Sequence, residues 1–175
     1  MSIFCSSRPR FDISQTEGVV IIDLNISAAE QVAGFLRAEI ERQKGTEVFV
    51  RPCVIAFAEQ LHTAAALATA VREGTAEATI DNSKDEITAS GGAVFSLCVN
   101  PEGVIEIDAT GLMGSLIAAT LRSARDWQEY RGFRLPPAVA AFGAELANTS
   151  WALKSQFSRK PIATLPAAPE SLPCS

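Results

Sequence analysis

The stretch Val94 to Thr110, VFSLCVNPEGVIEIDAT, specifies a β-hairpin down to its register. Phe95, Leu97 and Val99 alternate with Ser96, Cys98 and Asn100, and Ile105, Ile107 and Ala109 alternate with Val104, Glu106 and Asp108, the period of two of a half-buried strand. Between the arms, Asn100-Pro101-Glu102-Gly103 offers a side-chain acceptor, a fixed φ and a residue that tolerates positive φ. That order suits a type I turn closing on a glycine bulge. The three-residue loop sets Asn100 opposite Val104, Val99 opposite Ile105, Leu97 opposite Ile107 and Phe95 opposite Ala109. The six alternating apolar side chains of the two arms then share one face. A four-residue loop would set Leu97 against Glu106 and mix the faces. The hairpin therefore asks for an antiparallel sheet with helices on one side.

The 175 residues suffice for one ordinary domain with a single core. Hydrophobic residues make up 47% but aromatics only 7%, with alanine dominant, which favours helices packed closely on a sheet. No apolar run approaches the ~18 residues of a membrane span, and the N-terminus lacks the apolar core of a signal peptide. A cytoplasmic location is the expectation. Four dispersed cysteines without a CxxC pair argue against a disulfide framework, and a single histidine, His62, leaves no familiar zinc ligand set. No cofactor or metal is expected. The net charge of −5 comes from scattered acids, and no basic patch is visible, which excludes nucleic acid as a partner and favours a basic protein.

Along the chain, residues 1–16 read as a frayed leader, 17–157 as a single α+β domain and 158–175 as a flexible Pro/Ala/Ser-rich tail. From Gly18, VVIIDLNIS is an apolar run that then alternates and reads as a strand. From Ser27 the pattern is ambiguous: Ser27 and Glu30 have capping-box spacing and Val32, Leu36 and Ile40 helical spacing, yet Leu36, Ala38 and Ile40 also alternate with charges. Glu47 to Ala56 reads as a strand with Pro52 at an edge or bulge. FAEQLHTAAALATAVREG is a helix with Phe57, Leu61, Ala64, Ala68 and Val71 on one stripe, stopping at Gly74. Thr75 to Asn82 is a short strand candidate before a polar connection. Residues 111–120 extend a strand or turn at their glycines, and LRSARDWQEYRGFRL reads as a further strand or an exposed irregular segment. PPAVAAFGAELANTSWAL is a helix with prolines near its start and Val139, Phe142, Leu146 and Trp151 on one face. No repeat of solenoid period is visible. The fold class is α+β, an antiparallel sheet with helices packed on one face.

Candidate chemistry is sparse. Cys53 and His62 lie nine residues apart without the context of a nucleophile and base. Asp81, Asp85 and Glu86 resemble a calcium loop but lack its glycine. Gly91-Gly92 has no following lysine and hydroxyl, so it is no phosphate loop. Glu106 and Asp108 share one strand face, a spacing able to present two carboxylates, and the hairpin register makes that face the outer one. Asp126, Trp127, Glu129 and Tyr130, beside Arg125 and Arg131, set aromatics among charges as interface hot spots do. The plainer reading of Trp127 is that it covers the sheet edge.

Four pieces, GFLRAEIERQ, FAEQLHTAAALATAVREGTAEATID, VFSLCVNPEGVIEIDA and FRLPPAVAAFGAELA, follow one another in an order that resembles bacterial immunity proteins of contact-dependent and polymorphic toxin systems. The resemblance covers about two thirds of the chain and rests on common hydrophobic patterns. The chain departs from it where charged RQKGTE stands in place of a glycine-rich turn, and in lacking an acidic-polar entry to the last helix. It implies a strand at Leu36 to Ile40, and that reading is adopted for the ambiguous segment. It also implies a non-catalytic protein that binds and blocks a cognate toxin, docking through an acidic, aromatic-bearing surface around Trp127 and Tyr130, with Glu106 and Asp108 as further contacts. Two other classes fit the same composition: a secretion chaperone for an effector protein, which would normally dimerise, and a small enzyme using the carboxylates of Glu106 and Asp108. The oligomeric state stays open.

Overall fold

A computed structural model describes residues 7–78 and 92–158, with side chains to residue 155. In chain order the elements are β1 (Phe11–Thr16), β2 (Val19–Leu24), α1 (Ile26–Lys44), α2 (Pro52–Arg72), β3 (Phe95–Val99), β4 (Ile105–Thr110), α3 (Gly111–Tyr130) and α4 (Pro137–Ser158). The strands form one antiparallel sheet in the order β1-β2-β4-β3. The fold is α+β. The β3–β4 hairpin adopts the register its alternation dictates, with Val99 opposite Ile105, Leu97 opposite Ile107 and Phe95 opposite Ala109. Asn100 Oδ1 accepts from the Glu102 and Val104 amides, and Gly103 takes a φ of +75°. On the apolar face of the sheet, Val20, Ile22, Ile105 and Ile107 are fully buried under the helices, and Phe95 and Leu97 of the edge strand are partly buried.

Several expectations are corrected. Residues 11–16, assigned to a frayed leader, form the edge strand β1. Leu36 to Ile40 is helical, not a strand, because Ala28, Ala29, Val32, Ala33, Leu36 and Ile40 make one buried stripe. Its cap is Asn25 rather than Ser27: Asn25 Oδ1 accepts from the Ala28 amide at 2.9 Å. Glu47 to Ala56 is no strand either. Pro52 opens α2 at its first turn, where the missing N–H costs nothing. Residues 111–130, read as strand or irregular, are a continuous helix capped by Thr110, whose Oγ1 accepts from the Met113 amide. Trp151 is exposed and does not join Val139, Phe142 and Leu146 in the core. The helix α4 runs on to Ser158, and residues 159–175 lie outside the described part. So do residues 79–91, which hold Asp81, Asp85, Glu86 and the end of the Thr75–Asn82 strand candidate; residues 75–78 form no regular element. The α2 stop at Gly74 stands, with a φ of +73° and the Thr75 amide bonded back to Ala70 O. The same helix is long and apolar enough to cross a membrane, at a mean hydropathy of 1.4, yet its stripe of Phe57, Leu61 and Ala68 is packed in the core.

The element order is ββαα twice over, and the sequence repeats with it. Glu17-Gly18-Val19-Val20-Ile21-Ile22-Asp23 matches Glu102-Gly103-Val104-Ile105-Glu106-Ile107-Asp108, and PCVIAFAEQL from Pro52 matches PAVAAFGAEL from Pro137, both at a spacing of 85 residues. Buried positions recur at that spacing: Ala28, Ala29, Val32, Ala33 and Leu36 answer to Met113, Gly114, Ile117, Ala118 and Leu121. The caps recur as well. Asn25 donates its amide to Arg10 O and accepts from Arg10 N, and Thr110 does the same with Val94. The first hairpin is one residue shorter, turning on Glu17 and Gly18, both at positive φ, where the second inserts Pro101. A pseudo-twofold axis therefore passes between β2 and β4.

The halves interlock rather than sit side by side. Phe57 of α2 packs edge-on against Phe95 of β3 at 5.2 Å, and Phe142 of α4 packs edge-on against Phe11 of β1 at 5.5 Å. Each half thus sends its last helix to cover the edge strand of the other.

Candidate protein interface

At the C-terminal end of α1, Glu39 is a charged residue only 3% exposed. A carboxylate there has to be surrounded by donors. Arg42 grips it from below with Nη2 on Oε1 at 2.6 Å and Nε on Oε2 at 2.9 Å; Gln43 Nε2 donates to Oε1 at 2.7 Å, and Ser123 Oγ, reaching across from α3, at 2.6 Å. Burial pushes the Glu39 carboxyl up, but the hydrogen bonds from Arg42, Ser123 and Gln43, with the Arg42 charge behind them, outweigh it and hold it below its ordinary value. The same bond raises Arg42. With Oε1 taking three donors, Glu39 has no role as a free base. Its role is to fix Arg42.

Arg42, so fixed, lies over the ring of Trp127 at 5.0 Å from its centroid. Trp127 in turn stacks on Tyr130 at 5.8 Å with 23° between the planes. The order outward is a buried carboxylate, a clamped guanidinium, a half-covered indole 37% exposed and a phenol 83% exposed. Arg42 and Trp127 are equivalent positions of the two halves, so this stack straddles the pseudo-twofold axis. The halves have diverged there: Glu39 answers to Ala124, and Ser123 to Ala38.

Of the residues expected to bind a partner, Asp126, Trp127, Glu129 and Tyr130 are brought together on the last turns of α3, held by Arg125, which pairs with Asp126 at 3.0 Å and approaches Glu129 at 3.9 Å. Trp127 lies against Arg42 of α1 and Tyr130. Glu106 and Asp108 are not part of this site, since their side chains leave β4 on the sheet face opposite the helices. Asp108 is also buried rather than solvent-exposed, at 9%, and Glu106 accepts from Asn100 Nδ2 at 2.9 Å. Among the described residues no three His, Cys, Asp or Glu converge as a metal would need. Cys53 and His62 lie on one helix, ~13.5 Å apart along its axis and on opposite sides of it. Glu39, Arg42 and Ser123 escaped sequence reasoning, and the signal able to reveal them is the 85-residue repeat, against which their departures stand out.

A groove runs from this stack along the outer face of α3. One hollow of about 510 Å³ is bordered by Arg42, Ala119, Arg122, Ser123, Asp126, Trp127 and Tyr130. A second of about 370 Å³ continues between α3 and α4 past Ala119, Arg122 and Asn148 to Trp151 and Lys154. Comparison of the chain with protein-family models, curated proteins and solved structures finds no match.

Proposed function

We propose that this protein is a binding protein without catalysis, which holds a protein partner at the Trp127–Tyr130 surface and, as an immunity protein does its toxin, blocks that partner's activity. The observation that carries the reading is the stacked Trp127–Tyr130 pair on its buried ionic base. An aromatic side chain 83% exposed is costly to leave in water, and one held rigid before a partner arrives loses little entropy on binding. The immunity role itself comes from the resemblance alone, and one of its four pieces, that containing Leu36 to Ile40, is helical where the resemblance implies a strand.

The test is co-expression with the product of the reading frame adjacent to this gene in its own genome. A co-eluting complex and relief of growth arrest caused by that product are expected. Tyr130→Ala, at an exposed position, should weaken the complex by at least ~30-fold, the size of an interface hot spot, with an unchanged melting temperature. Absence of both complex and relief with the native protein overturns the reading.

A further inference from the structure

The repeat supplies an internal control for the groove. In the first half, Arg37 on α1 pairs with Glu59 on α2 at 3.0 Å. The equivalent arginine in the second half is Arg122 on α3, but the position equivalent to Glu59 is Ala144. Among the described residues Arg122 makes no ion pair or hydrogen bond. Beside it a hollow of about 190 Å³, bordered by Arg122 and Ala144, stands where the first half has its carboxylate. The aromatics flanking the groove are likewise confined to the second half: Trp127, Tyr130 and Trp151 answer to Arg42, Gly45 and Ala66. Trp151 is 71% exposed. Two halves with the same buried pattern show that the fold needs neither an unpaired arginine nor three exposed aromatics at these positions.

We propose that the α3–α4 groove receives an acidic segment of a protein partner, with a carboxylate beside Arg122 in the place Glu59 takes beside Arg37, and apolar side chains to either side against Trp127–Tyr130 and Trp151. This deepens the binding reading above and rests on it. It also reverses the expected charge: although the chain is net acidic, the groove is bordered by Arg122 and Lys154, while Arg42 is neutralised by Glu39 and Asp126 by Arg125, so the contacting segment is anionic. The floor of Ala118, Ala119 and Ala147 allows close approach of a helix or strand.

The probe is a short amphipathic helical peptide with one central glutamate and leucines one turn to either side, compared with the same peptide carrying glutamine. Binding is read by the emission of the two tryptophans, both of which border the groove, and by the Arg122 Nε–H resonance. The glutamate peptide should bind about tenfold more tightly than the glutamine peptide, as one charge-assisted hydrogen bond requires, and should move the Arg122 resonance. Ala144→Glu, which supplies the carboxylate internally, should weaken the peptide about tenfold without lowering the melting temperature, and Arg122→Gln should abolish the preference for glutamate. Equal binding of the two peptides, binding that leaves the Arg122 resonance in place, or no binding overturns the proposal, as does tighter binding of a single-stranded oligonucleotide or an anionic vesicle. If the adjacent-gene product still binds Ala144→Glu at full strength, the groove proposal falls and the function stands. If the peptide behaves as expected while that product neither binds nor is relieved, the blocking role falls and the groove stands.

Discussion

At the scale of the residue, Glu17 and Glu39 each occupy a position that most side chains would not tolerate. Glu17 has a φ of +50° beside Gly18 at +83°, the first position of a type I′ turn, where Asn or Gly is favoured. Glu17→Asn should stabilise the protein by about 0.5–1 kcal/mol, seen as a higher urea midpoint with an unchanged slope. Glu39 acts in the opposite direction. Its folded pKa lies below the ordinary 4.5, so the stability it contributes is present above about pH 4.5 and is lost as pH falls through the folded value. Glu39→Gln should cost about 1–3 kcal/mol at neutral pH, and the difference from the native protein should shrink on acidification below pH 4.5. A constant difference across that range would show that the charge of Glu39 contributes nothing. The same substitution loosens Arg42 from Trp127, so it should weaken partner binding although it touches no partner.

At the scale of the element, α3 and α4 meet where Gly114 and Ser150 face each other. A Cβ on Gly114 would fall on Ser150 Oγ, and that buried hydroxyl has no hydrogen-bond partner among the described residues. Their equivalents in the first half are Ala29 and Ala65, the same space divided differently. Gly114→Ala should therefore destabilise by about 1–3 kcal/mol through overpacking, Ser150→Ala should be neutral or stabilising, and the double variant should recover most of the loss. Thermal unfolding of the three variants checks this, and additive losses would contradict it. What was legible in the sequence follows the same division. The β3–β4 hairpin and the Pro137 helix were readable because adjacent residues decide them. The segment at 28–43 carries its helix in the spacing of Val32, Leu36 and Ile40, while the resemblance implies a strand there. Glu47 to Ala56 misled because β-branched residues around Pro52 suit a strand locally, whereas a proline in the first helical turn and the burial of Val54 with Phe57 and Leu61 decide the element from afar.

At the scale of the whole molecule, the candidate site was only partly legible. Trp127 and Tyr130 announce themselves as aromatics among charges, but Glu39, Arg42 and Arg122 gain meaning only when the halves are superposed. The crossed pairs Phe57–Phe95 and Phe11–Phe142 tie each half to the other, so the two should unfold as one cooperative unit. Phe57→Ala and Phe142→Ala should each cost about 3–5 kcal/mol and by similar amounts. Urea unfolding followed by helical signal and by tryptophan emission should give one coincident transition in the native protein. Separate transitions would mean that the halves stand alone. The crossing has a further consequence for how the chain is made. As synthesis proceeds, the strand that Phe57 must rest on has not yet emerged when α2 leaves the ribosome, and β1 waits for α4 before it is covered. The nascent chain therefore carries bare apolar surface until α4 has emerged, which makes the emergence of α4, rather than any early nucleus, the moment at which the native state becomes attainable.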